Sequence, residues 1–316
     1  MNPQGGLEGG LGFLPMASLV MRLLRTHVPV VGLEVGPTLR GVVLERSRPT
    51  AWGQREIPEG ILLEGKVVDP EGLAAELRHL WREAGFRSRY VAVAVPNEIV
   101  FLRSISLPRL SNKEMEEAVK WEAERYIPFP LEEVVLDYHV PPGGEQGEMV
   151  PVWVGAIRLE DIMGYVEALR GAGLVPVVAD AKANALLLPY EGRLGENPEE
   201  VRAFLDIGYH TSTLVLVRGN EVLGMRTFRP GGHPFSERLA EAFRVPLEEA
   251  ERIKRTYGRV VPPDPEEFLL DFDLDTERYD PSRVYEILYP VALELAQEVR
   301  RSLAFFSAQG DLPPPG

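Results

Sequence analysis

The segment GLEVGPTLRGVVLE at residues 32–45 returns, altered but in register, as FLDIGYHTSTLVLV at residues 204–217. In each, an acid stands two places before a glycine, a few turn-forming residues follow, and an apolar run rich in valine closes the unit. The correspondence continues without a gap through Val43/Val215, Leu44/Leu216, Arg46/Arg218, Pro58/Pro230 and Gly60/Gly232. A repeat this long constrains the fold, because the chain has to build one strand–turn–strand unit twice. Three antiparallel strands are expected in each half, near 30–35, 40–46 and 51–57, then near 203–207, 212–218 and 221–229. The last two turn through Arg218, Gly219 and Asn220.

Each meander leads into a helix. In the first half Asp69 can cap it, Pro70 suits its first position, Leu73, Leu77, Leu80 and Trp81 share one face, and Gly85 ends it. YVAVAV (90–95) then reads as a strand buried in a parallel sheet. A helix over 159–173, a strand over 174–180 and a helix over 181–188 continue the pattern. Antiparallel strands followed by helix-linked strands, occurring twice, indicate a duplicated α/β architecture. Residues 97–157 interrupt the first copy with strands near 99–107, 134–140 and 149–156 and a helix over 113–127. Ser111 and Glu114 stand before that helix at capping-box spacing. The second half adds helices over 233–243, 246–258 and 282–310, with an acidic, proline-bracketed loop over 262–281.

Composition removes several function classes. The 316 residues favour two domains, and the net charge of −14 argues against nucleic acid or an anionic membrane as the main partner. With no cysteine there is no disulfide framework, thiolate metal site or thiol nucleophile. The five histidines (27, 79, 139, 210, 233) lack metal-ligand spacing. No catalytic constellation emerges, and no metal site is nominated; His210 and His233 flank the second turn. No apolar run approaches the ~20 residues of a membrane span. Residues 1–20 are glycine-rich, lack a basic leading region and read as a disordered extension rather than a signal peptide. Met21 is an alternative start that opens a short basic segment.

Two acid-x-Gly turns, one per domain, can grip phosphate and metal together. Glycine lets backbone N–H groups approach phosphate, nearby hydroxyls donate, and the acids hold a cation through water. Glu34, Gly36 and Thr38 in the first turn, and Asp206, Gly208, Thr211, Ser212 and Thr213 in the second, suit that role. Ordinary hairpin turns favour the same residues, and on that reading the repeat records ancestry alone.

The repeated meander resembles that of the actin-like ATPase superfamily. LPRLSNKEMEEAVKWEAERYIPFPLEEVVLDY (107–138) is similar to the signature of the PilM family of type IV pilus assembly proteins, relatives of the division protein FtsA. The likeness spans roughly 21–310. It implies two actin-like, ribonuclease-H-like domains, 21–96 with 158–200 and 201–316, and an FtsA-like accessory subdomain over 97–157. It implies a cytoplasmic adaptor of the inner-membrane assembly platform, held there through the amino-terminal tail of PilN. Pilus biogenesis, twitching motility and DNA uptake follow, with pilus motor ATPases as further partners. Trp121, Tyr126, Ile127, Phe129 and Leu131 become candidates for holding the partner peptide, or else they pack the subdomain's own core.

The resemblance also implies ATP with Mg as cofactor. It assigns Glu34 and Gly36 to a first phosphate loop, Asp206, Gly208 and Thr211 to a second, Asp180 in VADAKANAL to the hinge, and Glu251 and Lys254 in AERIKR to the nucleoside. Asp180 can equally cap its helix, and Glu251 with Lys254 can be a surface pair. Two departures weaken the nucleotide reading. Pro37 removes a donor from the first loop, and Gly41 stands where the family carries lysine, with Arg40 expected on the opposite face of its strand. The chain also stops at GDLPPPG, where the family continues with a strand, an adenosine-binding glycine turn and more. A carboxy-terminally truncated variant is expected, its second domain incomplete and FLDIG left at a sheet edge open to self-association or a complementing chain. The expectation is an adaptor rather than an active actin-like ATPase, which is the alternative.

Overall fold

The computed structural model describes residues 29–45, 48–140, 148–194, 197, 199–219, 221–259, 261–262 and 279–308. The expectations for residues 1–20, Met21, Asn220, most of the acidic loop and the GDLPPPG tail lie outside them. Two compact units are present. One holds the described residues up to Phe204 with Val215–Met225, and the other holds Leu205–Leu214 with those from Arg226 onward.

In the first unit, β1 (Val31–Glu34), β2 (Thr38–Glu45) and β3 (Arg48–Glu56) form the expected meander. Two tiny strands, β4 (Leu62–Leu63) and β5 (Lys66–Val67), precede α1 (Pro70–Glu83) and β6 (Tyr90–Val95). With β10 (Val175–Ala181) they give a five-stranded sheet in the order β10-β6-β1-β2-β3, parallel at β10-β6-β1 and antiparallel beyond. Asp69 accepts from the Gly72 N–H at 2.9 Å to start α1, and Gly85, at φ +67, follows its end. Leu73, Leu77 and Leu80 of α1 share one core with Tyr165 and Leu169 of α3 (Leu159–Gly171) and with Val31, Leu33, Leu39, Val91 and Val93 of the sheet. Tyr165 donates to Gly65 O at 2.6 Å, and Lys66 pairs with buried Asp161 at 3.0 Å, so α3 also pins the β4–β5 hairpin.

The insertion is a layer of its own. β7 (Val100–Pro108), β9 (Met149–Arg158) and β8 (Val134–His139) form an antiparallel sheet with β9 central, covered by α2 (Asn112–Ala123). Met115, Val119 and Ala123, spaced by one helical turn, meet Ile105, Leu107, Val150, Val152 and Val154 in a separate core. The Glu114 carboxylate accepts from the Ser111 N–H at 3.0 Å and its hydroxyl at 2.7 Å, closing the predicted helix start.

After α4 (Lys182–Leu187) and the single turn α5 (Glu191–Leu194), the repeat returns as β11 (Val201–Ile207), β12 (Ser212–Arg218) and β13 (Glu221–Phe228). β12 is central and buried from Ser212 to Val217, while β11 lies at an edge with Leu205 40% and Ile207 50% exposed. Within the first unit, Val215, Val217 and Val222 pack with Trp153, Ala183 and Leu187. In the second, Leu239, Ala250, Ile253, Val284 and Leu288 join α6 (His233–Phe243), α7 (Leu247–Tyr257) and α8 (Pro281–Ala308).

Candidate functional site

The carboxyl ends of the first unit's strands gather residues that are far apart in the chain. Asp180 pairs with Ala94, Ala94 with Glu34, and Glu34 with Arg40, so the four form one row across β10, β6, β1 and β2. Residues in register share a face, and the small Ala94 leaves room between the two acids. Glu34 receives Arg40 Nη1 at 3.1 Å and Lys182 Nζ at 2.9 Å. Burial pushes its carboxyl up, but the two cations outweigh that and hold it below the ordinary range. A Cβ at Gly36 would meet nothing nearer than Thr38 O at 3.7 Å, so this part of the loop stays open to approach.

Arg40 stands on the opposite face of β2 from Gly41, as expected, and that is the face Glu34 occupies, so it reaches the loop from there. Gly41 belongs to the buried alternation Leu39, Gly41, Val43, and a Cβ there would stand 2.7 Å from the Phe86 ring. Lysine at 41 would point into the core, and Arg40 already supplies the loop's cation. Lys182, the first residue of α4, is the functional candidate that sequence reasoning passed over, although it lies inside the VADAKANAL motif.

Burial pushes the Asp180 carboxyl up to about 6, against hydrogen bonds from Asn184 and the Ala181 N–H. Asn184 Nδ2 donates to it at 2.6 Å and the Ala181 N–H at 2.8 Å. The Asn184 Oδ1 is buried with no partner among the described residues. The Asn184 Oδ1 and the Asp180 carboxyl are two oxygens side by side, and the carboxyl can accept a cation only once it has lost its proton. Lys182 and Arg40 share the Glu34 carboxylate from two sides.

The second turn is stitched to the segment before α6. Gly208 N–H donates to Thr211 O at 2.9 Å, Gly232 N–H to Gly208 O at 2.8 Å, and His233 N–H to Tyr209 O at 2.8 Å. Gly231 backs the turn so closely that a Cβ would lie 2.6 Å from Tyr209 O. Ser212 is fully buried and donates to Pro230 O at 2.7 Å, so its hydroxyl braces the turn and is not presented to a ligand, a correction to its expected role. Thr213 likewise faces Thr227 at 3.1 Å. His210 and His233 do come together, ring centres 5.3 Å apart, with Tyr209 4.5 Å from His233. Asp206 is the last but one residue of β11, and Thr211 lies in the turn that follows.

Glu251 receives Lys254 Nζ at 2.6 Å, Arg255 Nε at 2.9 Å and the Ser236 hydroxyl. Burial raises its carboxyl, but Lys254, Ser236 and Arg255 together pull it down to about 2. Lys254 also donates to Gly232 O at 3.1 Å. The two nucleoside candidates therefore tie α7 to the start of α6.

In the insertion the peptide candidates separate. Ile127 is 6% exposed and belongs to the subdomain's core, so it is withdrawn as a partner contact. Tyr126 and Leu131 pack against that core, with Arg103 lying 3.8 Å over the Tyr126 ring. Phe129 sits 4.7 Å beneath Arg158 and is 39% exposed, while Trp121 is 81% exposed. These leave Trp121 and Phe129 as surface able to meet a partner. Among the described residues no three histidine, aspartate or glutamate side chains form a metal set.

The sequence pattern described as type IV pilus assembly protein PilM matches residues 48–271. A chain of the solved PilM–PilN type IV pilus biogenesis complex is 44% identical, matched over 89% of this chain and 78% of that one with a TM-score of 0.78. Ethanolamine utilization protein EutJ from Carboxydothermus hydrogenoformans is 18% identical over 92% of this chain and 81% of its own, at TM-score 0.51. MreB 5 of Spiroplasma citri bound to AMPPNP is 13% identical over 91% and 80%, also at 0.51. The last two carry the fold alone, which is the actin-like one. By pattern and by identity, this chain belongs to the PilM family of type IV pilus assembly proteins.

Proposed function

We propose that this chain is an adaptor of the type IV pilus inner-membrane platform that binds the amino-terminal tail of a PilN partner. The observation that supports it most is the 44% identity, over 89% of the chain, to a member of a PilM–PilN complex. The working surface is the first actin-like domain (21–96 with 158–200) and its accessory subdomain (97–157), with Trp121 and Phe129 offered to the peptide; residues 201–316 form the second domain. No helix among the described residues is long and apolar enough to cross a membrane, and in this reading attachment at the cytoplasmic face runs through the partner. In this reading the protein serves pilus extension, twitching motility and DNA uptake, meets the motor ATPases through the platform, and performs no chemistry of its own. Among the described residues no strand pairs with the outer edge of β11, and in this reading a complementing chain takes it.

Nucleotide binding is the second reading, favoured by the unsatisfied Asn184 Oδ1 beside Asp180 and by the cations Arg40 and Lys182 around Glu34. Bound ATP with Mg would place a cation near Asp180 and phosphate near those cations. Calorimetry separates the two. A synthetic PilN-type tail peptide is expected to bind and ATP with Mg to give little heat; absent peptide binding would overturn the adaptor, and a micromolar constant for ATP would establish the alternative.

A further inference from the structure

The five-stranded sheet ends on β3, and among the described residues no strand pairs with its outer edge. Ile57 donates its N–H to Pro37 O at 3.0 Å, toward β2. Backbone direction alternates along a strand, so Ala51, Gly53 and Arg55 also turn toward β2, while Trp52, Gln54 and Glu56 turn their N–H and C=O groups outward. The odd side chains are taken by α1. A Cβ on Gly53 would lie 2.5 Å from Ala84, and Arg55 pairs with Glu76 and with Glu83. The even ones stand on the opposite face, where Trp52 is 71% exposed near Leu44, itself 58% exposed, with Val42 across from Trp52 in register. An unpaired backbone edge carrying an exposed tryptophan is a surface that proteins cover.

We infer that β3 pairs antiparallel with β3 of a second copy, about a twofold axis through Trp52. The strand RPTAWGQRE is complementary to itself in that register. Thr50 stands opposite Gln54 and Trp52 opposite its own copy, so polar side chains flank the paired indoles on both sides. Even positions oppose even positions, which brings outward backbone groups face to face and leaves the pairing with β2 intact. The two indoles come together beside Leu44 and Val42, where aromatic pairs across strands are favourable. Pro49 has no N–H, and the β2–β3 register shifts at Val43/Leu44, so the hydrogen-bonded part runs from Thr50 to Gln54.

Sedimentation velocity on the whole chain is expected to show mass doubling as concentration rises. Gln54→Pro removes one outward N–H without touching β2 and should weaken association by about tenfold or more. Trp52→Lys should do the same through the side chain and serves where Gln54→Pro does not fold. Because the chain has no cysteine, Trp52→Cys places its one thiol on the axis. A short bismaleimide should join two copies of that variant and leave Val175→Cys, on the sheet's other edge strand, single. A wild type that stays monomeric, an association unchanged by both substitutions, or equal cross-linking at 52 and 175 would each overturn the pairing.

Discussion

Position 41 carries glycine because its side of β2 is filled by Phe86, and position 40 carries the cation because its side is open to Glu34. Gly41→Ala is expected to cost about 1–3 kcal/mol by overpacking, read from the urea midpoint, and Phe86→Leu in the same chain should recover part of it. Equal midpoints for Gly41→Ala and wild type would remove the packing argument. Asp180 makes a claim of opposite sign to the usual carboxylate. Its folded value of about 6 stands above the 3.8 of an open chain, so protonation favours the fold. That contribution is complete below pH 3.8 and lost as pH rises through about 6. Asp180→Asn should therefore stabilise the protein at pH 8 by about 1–3 kcal/mol and change little at pH 4; a stability loss at pH 8 would show that the carboxylate holds the fold. The two acids were legible from the turn and hinge motifs. Lys182 was not, because its contact with Glu34 depends on how β10 delivers α4 beside β1. That 40 and 41 face opposite ways was legible in the alternation of β2; that Arg40 shares its face with Glu34 was not, because it depends on the β1–β2 register.

At the level of elements, caps and periodicity carried most of the information. Asp69, Pro70 and Gly85 bracket α1, and Ser111 with Glu114 open α2, because these signals are local and owe nothing to the rest of the chain. Sidedness at the end of α2 was not local. Trp121, Tyr126, Ile127 and Phe129 look alike in sequence, and only the three-stranded sheet beneath them decides which turn inward. Ile127→Ala should cost about 2–4 kcal/mol, since it empties part of a closed core. Trp121→Ala should move the melting temperature little and weaken the PilN-type peptide. If Trp121→Ala unfolds the protein, or leaves peptide affinity untouched, α2 does not present the docking surface. Ser212 teaches a related lesson, since a hydroxyl beside a turn reads as a ligand donor until the buried carbonyl of Pro230 is found to claim it.

For the molecule as a whole, acid stability rests on carboxylates of the ordinary kind. Glu34 and Glu251 are both held below 4.5 by their cations, so they stabilise the fold above that value and cease to do so as pH falls through their folded values. Thermal midpoints should fall steeply between pH 4.5 and about 2, where Glu251 titrates; Glu251→Gln should flatten that limb, and an unchanged slope would show that other groups govern it. The duplicated frame was readable in advance because the repeat preserves strand order, whereas the division into compact units depends on which core each end of β12 joins. The edge strand has one more consequence, for how far assembly can go. A contact in which β3 serves both partners consumes the edge that made it, and Pro49 discourages any strand that would slide past the register. Growth through β3 therefore terminates at two copies, and no filament can propagate from this edge.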